Sequence, residues 1–265
     1  MTVRITKMQG LGNDYLYYYG ELSNPEEWSR KLSDRHFGID SDGIITIAPS
    51  KTADFKMNIY NADGSEAMMC GNGIRCVGKY VFDKGYTDKT ELTIETRSGL
   101  KKLFLKTEDG KVKETAVNMG KCVVSAPVSL RTGCGQSTVT PVSVGNPHAV
   151  AFVTDAENAP LTTVGKELEK HEHFPGGVNV EFVQILDKNA IRMRVWERGS
   201  GITMACGPGA CASVAAAVNA GYCEKDTDVT VCLDGGKLTI RVLADDVVMM
   251  TGPAETVCEC EVDDL

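Results

Sequence analysis

The chain has 265 residues, a formal net charge of −8, 42% hydrophobic residues and 24% charged residues. This is the composition of an ordinary globular protein, and it excludes the disordered, collagen-like and coiled-coil classes. The acidic balance also lacks the basic surface of a nucleic-acid binder, so we expect a small molecule as the partner.

No apolar stretch follows a basic start, and no run of about 18 apolar residues occurs, so we expect neither an export signal nor a membrane span. The expected location is the cytoplasm, where cysteines stay reduced. Ten cysteines without a Cys-x-x-Cys pair are therefore expected to be catalytic or buried thiols. A metal site is not expected.

Two stretches in the chain share one pattern of predicted elements. Alternation of polar and apolar residues predicts half-buried strands at 54–60 and 190–196. A turn, a cysteine, a glycine-rich segment and a predicted helix follow each strand, with the helices at 74–84 and 210–220 and a glycine after each. The second helix has almost no polar face and must be enclosed. Runs rich in β-branched residues predict further strands at 43–47, 93–96, 112–117, 149–153, 178–185 and 229–233.

These stretches are two copies of an internal repeat. An offset of 136 residues aligns Cys70 with Cys206 and Met68 with Met204, without a gap. We therefore expect an α+β fold of two similar halves, each a curved sheet or barrel wrapped around a buried helix, with the active site in the cleft between them. The expected domains are 1–118 with Cys70 and 119–252 with Cys206, and the tail 253–265 is assigned to the first half.

Each of the paired cysteines stands directly before a predicted helix N-terminus. Unpaired N–H groups and the helix dipole suit a carboxylate there, and they are expected to lower the pKa of the thiol. Two such thiols on opposite sides of one molecule could invert a carbon, since a thiolate removes a proton from one face and a thiol returns one to the other. The remaining central cysteines are expected in the core: Cys76, Cys122, Cys134, Cys211, Cys223 and Cys232.

Five motifs, in this order, resemble the diaminopimelate epimerase family. They are GLGNDY at 10–15, NADGSEAMMCGNGIRC at 61–76, GNPHAV at 145–150, VNVEF at 178–182 and WERGSGITMACGPGACA at 196–212. The resemblance implies two domains of like topology and interconversion of LL- and meso-diaminopimelate, in lysine and peptidoglycan precursor biosynthesis. It implies no pyridoxal phosphate, no metal and no other cofactor.

The resemblance also assigns roles to residues. Cys70 and Cys206 would be the acid and base, and His148 and Glu197 would tune their ionisation. Arg198 is suited to gripping the distal carboxylate, because only the near end of a substrate with two identical ends should react. The substrate would be held by Asn13, Asn61, Asn146, Asn179, Glu197 and Arg198, and its reacting carboxylate by the backbone around Gly71, Asn72, Gly207 and Pro208. Each asparagine has an alternative role as a turn residue, and His148 as a loop histidine.

Three positions depart from the family pattern. Gly43 stands where the family often has glutamine, and Tyr15 stands where phenylalanine is common. Pro208 replaces a small hydroxyl residue and removes one N–H from the anion site. We expect looser carboxylate binding or a shifted substrate from Gly43 and Pro208, whereas Tyr15 is a mild change.

Three other functions remain open from the sequence. One is a related two-cysteine racemase for another amino acid, which would not need Glu197 and Arg198. The second is a thiol redox protein in which Cys70 and Cys206 form a regulated disulfide. The third is an amino-acid binding module without catalysis. For the epimerase, the expected partner is a small amino-acid substrate, without nucleic acid or membrane, and a homodimer is a candidate assembly.

Overall fold

The computed structural model describes residues 2–263, which form two compact units. The first unit contains the chain up to Val117 together with the residues from Gly252 onward, and the second contains Asn118–Thr251. Within the described residues, no helix is long and apolar enough to cross a membrane.

Nineteen strands are assigned within the described range. In chain order they are β1 (Thr2–Gly10), β2 (Asn13–Tyr19), β3 (Gly43–Pro49), β4 (Phe55–Asn61), β5 (Glu66–Ala67), β6 (Glu91–Thr96), β7 (Gly99–Glu108), β8 (Lys111–Lys121), β9 (Val123–Val124), β10 (Val128–Thr132), β11 (Gly135–Ser143), β12 (Pro147–Phe152), β13 (Asn179–Asp187), β14 (Ala190–Glu197), β15 (Gly201–Ile202), β16 (Val229–Leu233), β17 (Gly236–Val242), β18 (Val247–Pro253) and β19 (Glu255–Asp263). The helices are α1 (Pro25–Leu32), α2 (Gly71–Asp83), a π-helical turn (Leu161–Gly165) that continues into α3 (Lys166–Glu169), and α4 (Gly207–Asn219).

Both units have the same sheet topology. The strand order is β19-β1-β2-β3-β4-β6-β7-β8 in the first unit. It is β10-β11-β12-β13-β14-β16-β17-β18 in the second. In each order the third and fourth strands are parallel, as are the fifth and sixth, and the other neighbours are antiparallel. The shared topology confirms the internal repeat.

One helix in each unit makes the second parallel connection. Helix α2 lies between β4 and β6 in the chain and packs against β1, β2 and β7. Helix α4 lies between β14 and β16 and packs against β11 to β14, β16 and β17. Most residues of both helices are buried, so the predicted α+β fold with a buried helix in each half is confirmed.

Both of these helices begin three residues earlier than the sequence predicted. Cys70 and Cys206 have extended backbone conformations and serve as N-caps, so the glycine-rich segments form the first helical turn. Glycine-rich segments are poor helix formers by propensity, and here the tertiary packing overrides that preference. The predicted glycines after the helices are confirmed, since Gly85 and Gly221 have φ angles of 76° and 79°.

The cysteines outside the site follow the predicted burial only in part. Cys76, Cys122, Cys211 and Cys223 are buried as expected. The expectation was wrong for Cys134, which is exposed in the hairpin turn between β10 and β11. Cys232 is only half-buried because it lies at an outward-alternating position of β16.

Candidate active site

In the first unit, Cys70 is the N-cap of α2. Its sulfur accepts a hydrogen bond from the Gly73 N–H at 3.3 Å, and its thiol donates one to Asn13 Oδ1 at 3.2 Å. The side chain is half-buried. The structure thus brings together Cys70, Asn13 and the first turn of α2, three of the features that the sequence predicted for this half.

Asn13 is oriented by a carboxylate that the sequence analysis missed. Its Nδ2 donates to Asp42 Oδ2 at 2.5 Å, and the same oxygen accepts from the Asp14 N–H at 3.0 Å. An ionised carboxylate only accepts hydrogen bonds, so the amide nitrogen must face Asp42 and the amide oxygen is left for Cys70. Asp42 follows a left-handed residue, Asp40, in a loop whose sequence gives no sign of this contact.

The other two predicted asparagines of this unit differ in their surroundings. Asn61 accepts from the Tyr15 hydroxyl of β2 at 3.5 Å and donates to Ser65 Oγ, in the turn after β4, at 3.1 Å. Asn72, the second residue of α2, is buried, and its Oδ1 has no hydrogen-bond partner among residues 2–263. A buried unsatisfied amide oxygen costs about 1–3 kcal/mol, which is a reason to expect a ligand group beside it.

In the second unit, Cys206 is the N-cap of α4 and is 5% exposed. Burial raises the pKa of its thiol well above the ordinary value, and the nearby carboxyl groups of Glu197 and Glu181 raise it further. The expectation that the helix N-terminus lowers the pKa was therefore wrong for this thiol. Burial and two negative neighbours outweigh the helix dipole, so Cys206 is held as a thiol.

Glu197 ends β14 and is hydrogen-bonded to the Cys206 thiol. Its Oε1 accepts from the Thr203 hydroxyl at 2.5 Å. Burial raises the pKa of the Glu197 carboxyl, while the hydrogen bonds from Thr203 and Cys206 oppose that rise. The hydrogen bond between Glu197 and Cys206 is consistent with the predicted influence of Glu197 on the ionisation of a thiol.

His148 is hydrogen-bonded to the carboxylate of Glu181 rather than to the Cys206 thiol. Its Nδ1 lies 2.6 Å from Glu181 Oε1, and neither side chain is exposed. Its Nε2 lies 3.0 Å from Asn146 Oδ1, so two predicted residues meet here. The sequence analysis missed Glu181, although an acidic residue inside a strongly apolar predicted strand is a signal that could have found it.

Asn179, the first residue of β13, is hydrogen-bonded to Arg198, the first residue after β14. Asn179 Oδ1 accepts from the Arg198 backbone N–H at 2.9 Å, and the exposed guanidinium donates from Nη1 to the Gly176 carbonyl at 2.9 Å. Asn179 is the buried first residue of β13 and has no positive φ, so the alternative role of a turn residue does not apply to it.

One departure from the family pattern, Gly43, has a structural explanation. Gly43 has a φ of 151°, and a Cβ there would lie 2.1 Å from the Tyr60 carbonyl oxygen, so no side chain fits. Pro208 is the second residue of α4 and has no N–H, whereas Asn72 holds that position in α2. Of the residues that the structure describes, no group of three or more His, Cys, Asp or Glu is placed to hold a metal ion.

A sequence profile of the family described as diaminopimelate epimerase matches residues 5–125 and 140–257, which together are most of the chain. The chain belongs to this family. Its relatives named diaminopimelate epimerase include one from Methanococcus maripaludis strain S2, which is 48% identical over 280 residues and covers 98% of this chain and 100% of its own. A relative of that name from Acetivibrio thermocellus is also 48% identical, and the match covers 98% of this chain and 99% of the relative.

Solved structures share the fold of this diaminopimelate epimerase family member at low sequence identity. A hydroxyproline epimerase from Agrobacterium vitis aligns with a TM-score of 0.77 at 16% identity, over 98% of this chain and 92% of that one. A phenazine biosynthesis protein from Bacillus anthracis aligns with a TM-score of 0.78 at 14% identity, over 99% of each chain. At such identities the likeness establishes the two-repeat α+β fold alone.

Proposed function

We propose that this chain interconverts LL- and meso-diaminopimelate by moving a proton between two cysteines and one α-carbon. The observation that carries the proposal is the equivalent placement of Cys70 and Cys206, each the N-cap of the buried helix of its unit. Relatives of the same name, matched over nearly their whole length, support the choice of substrate.

The reaction needs one base and one acid of matched type. A Cys70 thiolate removes the α-proton and leaves a carbanion. The Cys206 thiol then donates its proton to the opposite face of the same carbon. The Gly73 N–H, which already bonds the Cys70 sulfur, favours the thiolate form. The reverse reaction exchanges the roles of the two sulfurs. The proposal therefore requires both sulfurs to reach one carbon.

The two thiols begin the cycle in different states. Cys206 is buried beside two carboxyl groups and is held as a thiol, so we assign it the proton-donor role at the start. Cys70 donates to a neutral amide oxygen, which tolerates loss of the thiol hydrogen better than a carboxylate does. Glu197 accepts from Cys206 and is placed to stabilise the thiol form until the hydrogen is transferred.

Substrate recognition has three parts in this proposal. The first turns of α2 and α4 supply backbone N–H groups and the positive ends of helix dipoles for the reacting carboxylate. Arg198, on an exposed loop, supplies a planar guanidinium for the distal carboxylate. Asn72, with its unpartnered buried amide oxygen, is assigned the role of accepting from the substrate ammonium.

The ten cysteines are free thiols, which suits a working location in the reducing cytoplasm.

The test is proton–deuterium exchange at the α-carbon of LL-diaminopimelate in heavy water, followed by proton NMR. The wild type is expected to incorporate deuterium and form the meso isomer. Cys70→Ser and Cys206→Ser should each slow epimerisation by about a hundredfold or more, the usual contribution of a general acid or base. Cys134→Ser is the matched control, because Cys134 is exposed in a hairpin turn, and it should exchange at the wild-type rate.

Two results would contradict the proposal. Full epimerase activity in Cys206→Ser, with loss of a reversible disulfide, would favour the redox function instead. Deuterium exchange into monocarboxylic amino acids, with none into diaminopimelate, would reject diaminopimelate as the substrate and favour a racemase for another amino acid.

A further inference from the structure

Glu181 is a buried acid that the proposed reaction uses neither as an acid nor as a base. It lies on β13, two residues after Asn179 and on the same face of the strand, and its side chain has no exposure. A carboxylate in such a place is costly unless it is paired, so its neighbours decide what it does.

One neighbour is the ring of His148. The 2.6 Å contact joins Glu181 Oε1 to His148 Nδ1. An ionised carboxylate only accepts, so the hydrogen of this contact lies on Nδ1, and Nε2 is the ring atom left to face Asn146. The contact thereby fixes both the orientation of the ring and the position of its hydrogen.

The other neighbour is the Cys206 thiol. A Cβ placed on Gly209 would lie 2.7 Å from Glu181 Oε1 and 3.1 Å from Cys206 Sγ, so the carboxylate and the sulfur border the same small gap. Glu181 is thus a second carboxyl group close to this thiol, in addition to Glu197. A negative charge so near disfavours a thiolate.

The second oxygen of Glu181 is also unusual. Among residues 2–263, Oε2 is buried and has no hydrogen-bond partner. A carboxylate kept only for stability would be expected to have both oxygens satisfied, because buried polar atoms nearly always are. An incompletely satisfied acid beside a reactive thiol is more typical of a functional group.

We propose that Glu181 is a positioning residue, which holds His148 with its hydrogen on Nδ1 and keeps Cys206 protonated until its hydrogen passes to the substrate carbon. The inference rests on the proposed function in that Cys206 is the group exchanging a proton with substrate. Glu181 itself transfers nothing; it sets the charge and geometry around the residues that do.

Glu181→Gln tests the proposal, because glutamine keeps the size and can still accept from Nδ1 but removes the charge. The reactivity of Cys206 towards iodoacetamide is measured against pH, with fragment-ion mass spectra separating Cys206 from Cys211. The midpoint should move down by about one pH unit, since loss of a nearby negative charge favours the thiolate. Turnover of LL-diaminopimelate should fall about tenfold or more.

Glu169→Gln is the matched control. Glu169 is another buried acid of this unit, and its carboxylate accepts from Trp196 Nε1 at 2.7 Å and from the Gly199 N–H at 3.0 Å. Its replacement should leave the Cys206 midpoint unchanged. Glu181→Asp, which keeps the charge, should restore the midpoint towards wild type. An unchanged midpoint in Glu181→Gln, or an equal shift in Glu169→Gln, would overturn the proposal.

A second measurement needs no variant and covers the case in which Glu181→Gln does not fold. Nitrogen NMR of the wild-type protein reports which ring nitrogens of His148 carry hydrogen. A hydrogen on Nδ1 supports the proposal, and a ring protonated on Nε2 alone overturns it. Neither the Cys206 reactivity midpoint nor the nitrogen NMR uses substrate, so failure of the wild type to act on diaminopimelate would reject the proposed function without changing these two results.

Discussion

At the scale of single residues, the two paired cysteines have equivalent backbone positions but different chemistry. The Cys70 thiol donates to the Asn13 amide, which is itself hydrogen-bonded to Asp42, whereas the Cys206 thiol is hydrogen-bonded to Glu197 directly. The repeat in the sequence predicted the equivalence, because matching cysteines and glycines are visible in the letters. It did not predict the burial of Cys206 or the nearby charge of Glu181, because the fold brings these neighbours together from different elements.

The Thr203 hydroxyl provides a test of how Glu197 is tuned. It donates to Glu197 at 2.5 Å, and this bond opposes the rise that burial causes in the pKa of the carboxyl. Thr203→Val removes the donor at nearly constant volume, so that pKa should rise further. The acidic limb of the pH profile of kcat/KM should then move to higher pH, by about half a unit or more.

The acidic limb moves to higher pH because the ionised form of Glu197 is the active one. An ionised carboxylate accepts from Cys206, and a higher pKa leaves less of it ionised near neutral pH, so activity is lost first on the acidic side. Thr203→Ser is the matched control, because it keeps the hydroxyl and should keep the wild-type profile. An acidic limb that stays in place in Thr203→Val would mean that the bond has no part in tuning Glu197.

At the scale of elements, alternation and β-branched runs predicted eight of the nineteen described strands, and the glycine positions predicted where the two long helices end. The helix starts were predicted too late, because propensity disfavours Gly-Asn-Gly and Gly-Pro-Gly in a helix and the cysteine N-caps were not recognised. The nearly all-apolar composition of α4 correctly predicted its enclosure. Seven consecutive residues from Cys211 to Ala217 are buried, with small side chains predominating.

Close packing around α4 should make it intolerant of larger side chains. Ala217 is fully buried, and Ala217→Leu adds three carbon atoms where the surrounding sheet leaves little space. We expect the free energy of unfolding to fall by about 1–3 kcal/mol, as measured by urea denaturation. Ala220→Leu, at the exposed C-cap of the same helix, should change it by less than about 0.5 kcal/mol. Equal effects of the two substitutions would show that α4 is not tightly enclosed.

At the scale of the whole molecule, the repeat is complete only when the chain ends are considered together. In the second unit, the outer strand β10 directly precedes its neighbour β11 in sequence. In the first unit, the equivalent place beside β1 is taken by β19, from the far end of the chain. Sequence similarity between the halves covers the central elements and says little about this strand, because strand pairing across so long a separation leaves no local pattern.

Removal of β19 should therefore destabilise the first unit. Strand β1 pairs with β19 from Thr2 to Gln9, and Val262 packs against the core cluster that contains Ile5. Deletion of residues 255–265 exposes that edge, and we expect the melting temperature to fall by about 10 °C, or about 3 kcal/mol for a domain of this size. Glu261→Gln is the control, because it removes only the exposed ion pair with Arg4 and should shift the melting temperature by less than about 2 °C. A truncated chain with the melting temperature of the wild type would show that β1 needs no partner strand from the end of the chain.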